Sequence, residues 1–286
     1  MKQRLAMFFW RMSALAVFSL NGCMSVPDLQ ARQEKAALAA PNGYERQIIR
    51  TQSFDLLSYA PEAGTALTEM IVYIEGDGFA WKTRNTPSDD PTPITQTVLS
   101  LMAANARSNT AYLARPCQFV GATSRGCSTD LWTGARYSEP IIAALDDALT
   151  AFQDTYGAQN FTLIGYSGGG TVSLLLAARR PDVSAVITFG APLDITAFTE
   201  HHSVTPMTAS LNPTDVAPML TNIPQIHLFG NKDEIVPASL SQGYLDALDN
   251  RHCVQTILVP ATHWSGWTAL SPSPGEKTPA CKGQPQ

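Results

Sequence analysis

Short apolar runs alternate with longer amphipathic stretches along most of the chain, and this alternation predicts a fold before any single motif is read. The apolar runs expected to be strands are Ile48 to Tyr59 (as a hairpin), Met70 to Ile74, Ala111 to Ala114, Phe161 to Ile164, Ala185 to Phe189, Gln225 to Phe229 and Thr256 to Val259. Several are apolar throughout and rich in Val, Ile and Phe, the pattern of strands covered on both faces. Between them the chain turns helical. "PITQTVLSLMAANA" starts at Pro93, and "SEPIIAALDDALTAFQDTYG" has Ser138 at the N-cap and Gly157 as its stop. "GGGTVSLLLAARRPD" ends in Arg179 and Arg180 before Pro181, which suits a helix C-terminus, and "ASLSQGYLDALDN" precedes the last strand. Strand–helix alternation of this kind predicts one α/β domain with a mostly parallel sheet and helices on both faces.

The first residues break the pattern. "MKQRLAMFFWRM" places Lys2, Arg4 and Arg11 ahead of "SALAVFSL", an apolar stretch too short to span a bilayer as a free helix. It ends in "LNGC", which resembles the lipobox of bacterial lipoproteins. The resemblance implies a signal peptide over residues 1–22 and a diacylglyceryl group on Cys23 as the mature N-terminus. It also implies an exported protein, lipid-anchored to the cell envelope; two or more acyl chains hold a protein stably on a membrane. Met24 follows the cysteine where Asp would retain an enterobacterial lipoprotein inside, which favours the outer membrane on its periplasmic side. A plain secretory signal and an uncleaved anchor are the other readings. Residues 23–45 are polar and Ala-rich and read as a tether. The domain then covers 46–286, with a short insertion about 195–223.

Composition narrows the rest. The 286 residues are 44% hydrophobic and 15% charged, with a net charge of −5. Such a chain can bury a full core, and without a basic block or aromatic–basic interleaving it offers nothing to nucleic acid. With Cys23 taken by lipid, Cys117, Cys127, Cys253 and Cys281 remain. An even remainder in an exported chain predicts two bridges, and proximity favours Cys117–Cys127 and Cys253–Cys281. A zinc site is the rival, but no CxxC supports it.

The chemistry starts at "FTLIGYSGGG". An apolar strand stops at Gly165, and Ser167 stands on the turn into a helix, bracketed by small residues that let the backbone bend. This is the G-x-S-x-G nucleophile elbow, with Gly165, Ser167 and Gly169 in the pattern. "QIHLFGNKDEIVP" then places Asp233 after a strand and glycine turn, and "TILVPATHWSGW" places His263 after the next strand. Serine, acid and histidine in that order, each at the C-terminal end of a strand, resemble the α/β-hydrolase fold over roughly Ile48 to Trp267. The resemblance implies a serine hydrolase in which Ser167 attacks an acyl carbon. His263 takes its proton, and Asp233 orients the imidazole and stabilises its charged form.

Asp194, in "FGAPLD", is the second candidate for the acid. His201 and His202 fall in the insertion, His227 inside an apolar strand and His252 beside Cys253. Oxyanion donors are expected from the Gly168 N–H at a helix start and from the loop "EGDGFAW", where Asp77 N–H ranks first and Gly78 second. Many relatives carry His-Gly where this chain has Glu75-Gly76. Two carboxylates there predict an electronegative mouth that disfavours anionic substrates, unless Glu75 and Asp77 merely bond the turn. The segments from Arg115 to Pro140 and from Thr199 to Pro224 are expected to shape the pockets, and Trp81, Trp132, Trp264 and Trp267 to line the cleft. The reaction so read is hydrolysis of a small acyl ester or thioester, with no metal or organic cofactor. A serine peptidase or amidase is the rival enzyme, and a surface binding module on the same fold the rival outside catalysis.

Overall fold

The computed structural model describes residues 26–62, 64, 66–270 and 280–281. The expected signal segment 1–22 and Cys23 lie outside them. Along the chain run α1 (Leu29–Ala39), β1 (Tyr44–Arg50), β2 (Asp55–Pro61), β3 (Glu69–Ile74), β4 (Trp81–Thr83), β5 (Thr86–Pro87), α2 (Thr97–Ala104) and β6 (Thr110–Leu113). After these come α3 (Glu139–Tyr156), β7 (Asn160–Tyr166), α4 (Gly168–Ala177), β8 (Val183–Phe189), α5 (Ile195–His201), α6 (Pro213–Val216), β9 (Gln225–Gly230), α7 (Gln242–Ala247) and β10 (Val254–Val259).

Eight strands form one sheet in the order β1-β2-β6-β3-β7-β8-β9-β10. The β1–β2 hairpin and the β2–β6 pairing are antiparallel, and every pairing from β6 onward is parallel. The expected α/β architecture is therefore present, with each predicted strand in place. In β7 successive side chains divide between two cores. Phe161 and Leu163 join α3 and α4 on one face, and Ile164 and Tyr166 join α2 on the other. That is why the central strands lack a polar face. Each fully buried Leu or Phe of such a core contributes roughly 1.5–3 kcal/mol. β4 and β5 form a separate two-stranded ribbon, too short for periodicity to announce.

Helix α3 buries Ile141, Leu145, Ala148, Leu149, Phe152 and Tyr156 at helical spacing. It stops at Gly157, which turns left-handed at φ 69°. Ser138 holds the predicted N-cap position, yet its hydroxyl makes no capping bond and is buried without a partner. The first-turn amides of Ile141 and Ile142 use the Ser138 carbonyl instead. Arg180 does more than follow a helix end. It pairs with Asp146 of α3 and with Asp182, and its guanidinium lies over the Phe161 ring, tying α3 to the start of β8.

Residues 29–39 of the expected tether form a docked helix. Asp28 caps α1 by accepting from the Ala31 amide at 2.8 Å. Arg32 is buried, donates to the Thr92 carbonyl at 2.6 Å and pairs with Asp90. Ala36 sits fully buried in the α2-side core. The one-carbon side chain of Ala36 lets α1 approach that core closely. Both expected disulfides are present, Cys117–Cys127 and Cys253–Cys281. His252 stands beside the second bridge, but its sulfurs are bonded to each other, which removes the thiolates zinc would need.

Candidate active site

Parallel pairing aligns the C-terminal ends of the central strands. Ile74 of β3 is opposite Gly165 of β7, Tyr166 opposite Phe189 of β8, and Gly230 of β9 opposite Val259 of β10. The loops that leave this edge meet in one place, the position where open α/β sheets build their sites.

Ser167 lies between β7 and α4 with φ 51° and ψ −128°, a sparsely populated conformation that costs about 1–3 kcal/mol and persists only where its surroundings enforce it. They do. A Cβ on Gly165 would collide with the Gly169 backbone, and one on Gly169 with the carbonyls of Ile74 and Glu75. Both glycines of the motif are thus required by close approach. The Ser167 amide donates to the Phe189 carbonyl at 2.8 Å, fixing the turn to β8.

Ser167 Oγ is 3.1 Å from His263 Nε2, and His263 Nδ1 is 2.8 Å from Asp233 Oδ2. The other Asp233 oxygen accepts from the amides of Ile235 and Val236 at 2.9 and 2.8 Å. Burial alone would raise this carboxyl. The hydrogen bonds from His263, Val236 and Ile235 outweigh it and hold the carboxyl below its ordinary value. His263 is fixed from behind, because Tyr166 Oη and Trp267 Nε1 both donate to its carbonyl. A hydroxyl, an imidazole and a buried carboxylate in line can pass a proton from Ser167 to His263 while the carboxylate faces the charge that forms.

The other candidates do different work. Asp194 caps α5 by accepting from the amides of Thr196 and Ala197 at 3.0 and 3.1 Å, and the acid that meets His263 is Asp233. His227 is buried, bonded to Thr188 and Gln225, and pushed down to about 3 by desolvation. His202 faces the Ile235 carbonyl at 2.8 Å. His201 packs edge-on against the His202 ring, and His252 bonds Asn250.

The β3 loop passes against Ser167: a Cβ on Gly76 would stand 3.3 Å from that of the serine. The amides of Asp77 and Gly168 donate to no group among the described residues. The expected electronegative mouth is not what this loop presents. Asp77 pairs with Arg115 and with Arg136 (Nη1 to Oδ2, 2.7 Å), and Tyr137 Oη donates to both its oxygens. Burial would raise the Asp77 carboxyl, but the charges of Arg136 and Arg115 bring it down to about 2. Glu75 is buried, and desolvation raises it to about 7 against the Gly76 amide and Tyr112 hydroxyl that bond it. Neither carboxylate is a free charge at the mouth.

Sequence reasoning passed over this network. Arg115 and Arg136 stand in the segment from Arg115 to Pro140 beside a third arginine, Arg125, that bonds Gln52 and Asp55 instead, and nothing in the sequence tells the three apart. That segment braces the loop more than it lines a pocket, with Arg136 contributing to both. A cleft of about 530 Å³ opens above Ser167 and His263, walled by Phe79, Trp81, Ile94, Phe198 and Trp264. Trp81 and Trp264 line it as expected. Trp132 and Trp267 instead are buried, donating to the carbonyls of Ser88 and His263. From the 195–223 insertion, Phe198 of α5 reaches the cleft.

A family model for the alpha/beta hydrolase fold matches residues 114–214, a span that holds Ser167 but neither Asp233 nor His263. No curated protein matches the chain by sequence. Among solved structures, an esterase of Pyrococcus furiosus superposes with a TM-score of 0.56 at 14% identity, over 82% of this chain and 85% of that one. An alpha-beta serine hydrolase homologue from Coxiella burnetii gives 0.52 at 17%, over 78% and 89%. An acylaminoacyl peptidase of Pyrococcus horikoshii gives 0.51 at 14%, over 78% of this chain and 38% of that one. At such identities the likeness is one of fold.

Proposed function

The chain has the α/β-hydrolase fold, and we propose that it is a serine hydrolase that cleaves carboxylic or thio esters through an acyl-enzyme. The observation that carries this reading is the line from Ser167 Oγ through His263 to Asp233, at 3.1 and 2.8 Å. Ser167 attacks the acyl carbon, and His263 Nε2 takes its proton. The oxyanion that forms is met by the free amides of Gly168 and Asp77, the first at the start of α4, where the helix dipole adds to it. His263 then gives the proton to the departing alcohol or thiol. Water repeats the sequence on the acyl-enzyme and restores the serine. Every proton has a holder among these groups, so the chemistry calls on no cofactor.

A serine peptidase or amidase would use the same residues, and the likeness to an acylaminoacyl peptidase keeps that reading in the test. The full chain is treated with a fluorophosphonate probe and offered p-nitrophenyl esters of short and long chain, thioesters and aminoacyl amides. Labelling at Ser167 with faster ester turnover is the expected result. Faster amide turnover would favour the peptidase, and no labelling at all would leave a binding module. The reading includes a location, with residues 1–22 as signal and the protein held at the envelope by lipid on Cys23. Cys23→Ser should release it from the membrane fraction; an unchanged distribution would refute the anchor.

A further inference from the structure

Arg136 is a buried arginine in the wall of the cleft beside Ser167, and its Nη2 makes no hydrogen bond among the described residues. Its side chain is 10% exposed. Nε donates to the Thr133 carbonyl at 2.7 Å and Nη1 to Asp77 Oδ2 at 2.7 Å; the Tyr137 hydroxyl lies close to the guanidinium, and Nη2 forms no hydrogen bond of good geometry among the described residues. Arg115 differs. Its Nη1 goes to Asp77 and its Nη2 to the Arg136 carbonyl, and its Nε is sealed from solvent. Of the two, only Arg136 lines the 530 Å³ cleft beside Ser167, whereas both border the small void behind Asp77.

Arg115 and Arg136 share one carboxylate, that of Asp77, and of the two only Arg136 reaches the cleft. The carboxylate of Asp77 fits against Gly168, the first residue after Ser167. The other carboxyl lining the cleft, Glu75, has its oxygens occupied by the Gly76 amide and the Tyr112 hydroxyl, and its raised affinity for a proton lowers the charge it can offer. A guanidinium held in a low-dielectric wall without a full counter-ion is costly, and it focuses a positive field on whatever enters the cleft.

We propose that Arg136 anchors a subsite for a carboxylate carried by the ester that Ser167 attacks, with the apolar remainder of that ester against Phe79, Trp81 and Trp264. The proposal rests on the serine-hydrolase reading and names its substrate class: esters that bear an anionic group on one side of the scissile bond. A planar guanidinium suits a carboxylate because parallel N–H donors match its two oxygens.

Two matched pairs test it. On the acyl side the mono-p-nitrophenyl ester of glutaric acid is compared with p-nitrophenyl pentanoate; on the alcohol side 3-acetoxybenzoate is compared with phenyl acetate. The expected result is an anionic-to-neutral ratio of kcat/KM of about ten or more in one pair, the worth of one charge-assisted contact. Arg136→Lys, which keeps a charge for Asp77 but loses the second donor nitrogen, should lower that ratio about tenfold. Arg115→Lys should lower turnover of both members and leave the ratio in place. Should Arg136→Lys fail to fold, fluorophosphonate labelling of the unaltered protein provides the second readout: free glutarate should slow it, and pentane-1,5-diol should not. Intact labelling with ratios at or below one in both pairs, or with no protection by glutarate, overturns this proposal alone. Absence of labelling overturns the hydrolase reading and the subsite with it.

Discussion

The Asp77 carboxylate occupies the space that a side chain on Gly168 would need: a Cβ built there would overlap Asp77 Oδ1. The two residues whose amides are proposed to hold the oxyanion are therefore in direct contact, and Arg115, Arg136 and Tyr137 clamp one of them. Asp77→Asn keeps the shape and removes the charge, leaving two arginines facing a neutral amide. It should cost roughly 3–5 kcal/mol of stability near neutral pH and lower kcat more than it raises KM. The folded carboxyl lies near 2, below its unfolded value. Its contribution is thus present above pH ~4 and is lost as pH falls towards 2. Urea unfolding between pH 2 and 7 should show that loss in the unaltered protein and little of it in the variant. Equal stability at pH 7 would mean the clamp holds nothing.

Ser167→Ala and His263→Ala should each lower ester turnover by about 10⁴- to 10⁶-fold, and Asp233→Asn by about 10⁴-fold. Asp194→Ala removes the α5 cap and a long bond from Asn212 Nδ2, so about 1 kcal/mol of stability should go while turnover stays. Kinetics of the four purified variants check this. Retained activity in Asp233→Asn with loss in Asp194→Ala would transfer the acid role to Asp194.

The residues meeting at Ser167 were legible because each sits on a strand end that periodicity exposes. Gly165, Ser167 and Gly169 follow an apolar run, and Asp233 and His263 follow two more. What could not be read was which distant side chains meet the charged residues outside that motif. Glu75 and Asp77 read either as free charges or as groups that bond their own turn, and their partners Tyr112, Arg115 and Arg136 lie 37 to 59 positions away. The docking of α1 was hidden for the same reason, since Arg32 finds Thr92 sixty positions on. Trp132 and Trp267 are ambiguous in sequence, because an indole can line a cleft or donate to a buried carbonyl equally well.

Glu75 should make stability fall as the solution becomes less acidic. Its folded carboxyl, raised by burial to about 7, binds a proton more tightly than the unfolded chain does. Stability linked to it is full below pH ~4.5 and declines as pH rises from there through 7. Glu75→Gln stays neutral throughout and can still bond Gly76 and Tyr112. Its unfolding free energy should exceed that of the unaltered protein at pH 8 and lose the decline between pH 5 and 7. A variant less stable at pH 8 would show that the charged form is the one the fold needs.

The Cys117–Cys127 bridge should matter to activity as well as to stability. The loop it closes carries Cys117 and Phe119 at φ 72° and 63°, conformations that need enforcement. The same loop backs the loop after β3, since Gln118 Nε2 donates to the Gly76 carbonyl at 2.9 Å, and it is itself tied down where the Phe119 amide donates to Thr92 Oγ1 at 2.7 Å. Replacing both cysteines by Ser should cost about 2–4 kcal/mol and lower kcat, because Gly76 and the neighbouring Asp77 amide lose their backing. The Cys253–Cys281 bridge ties the C-terminal segment to the start of β10, at the opposite end of that strand from His263. Its double replacement should cost a similar stability with kcat retained. Urea midpoints and kcat for the two double variants separate the bridges, and an equal loss of kcat in both would show that the first has no special hold on the site.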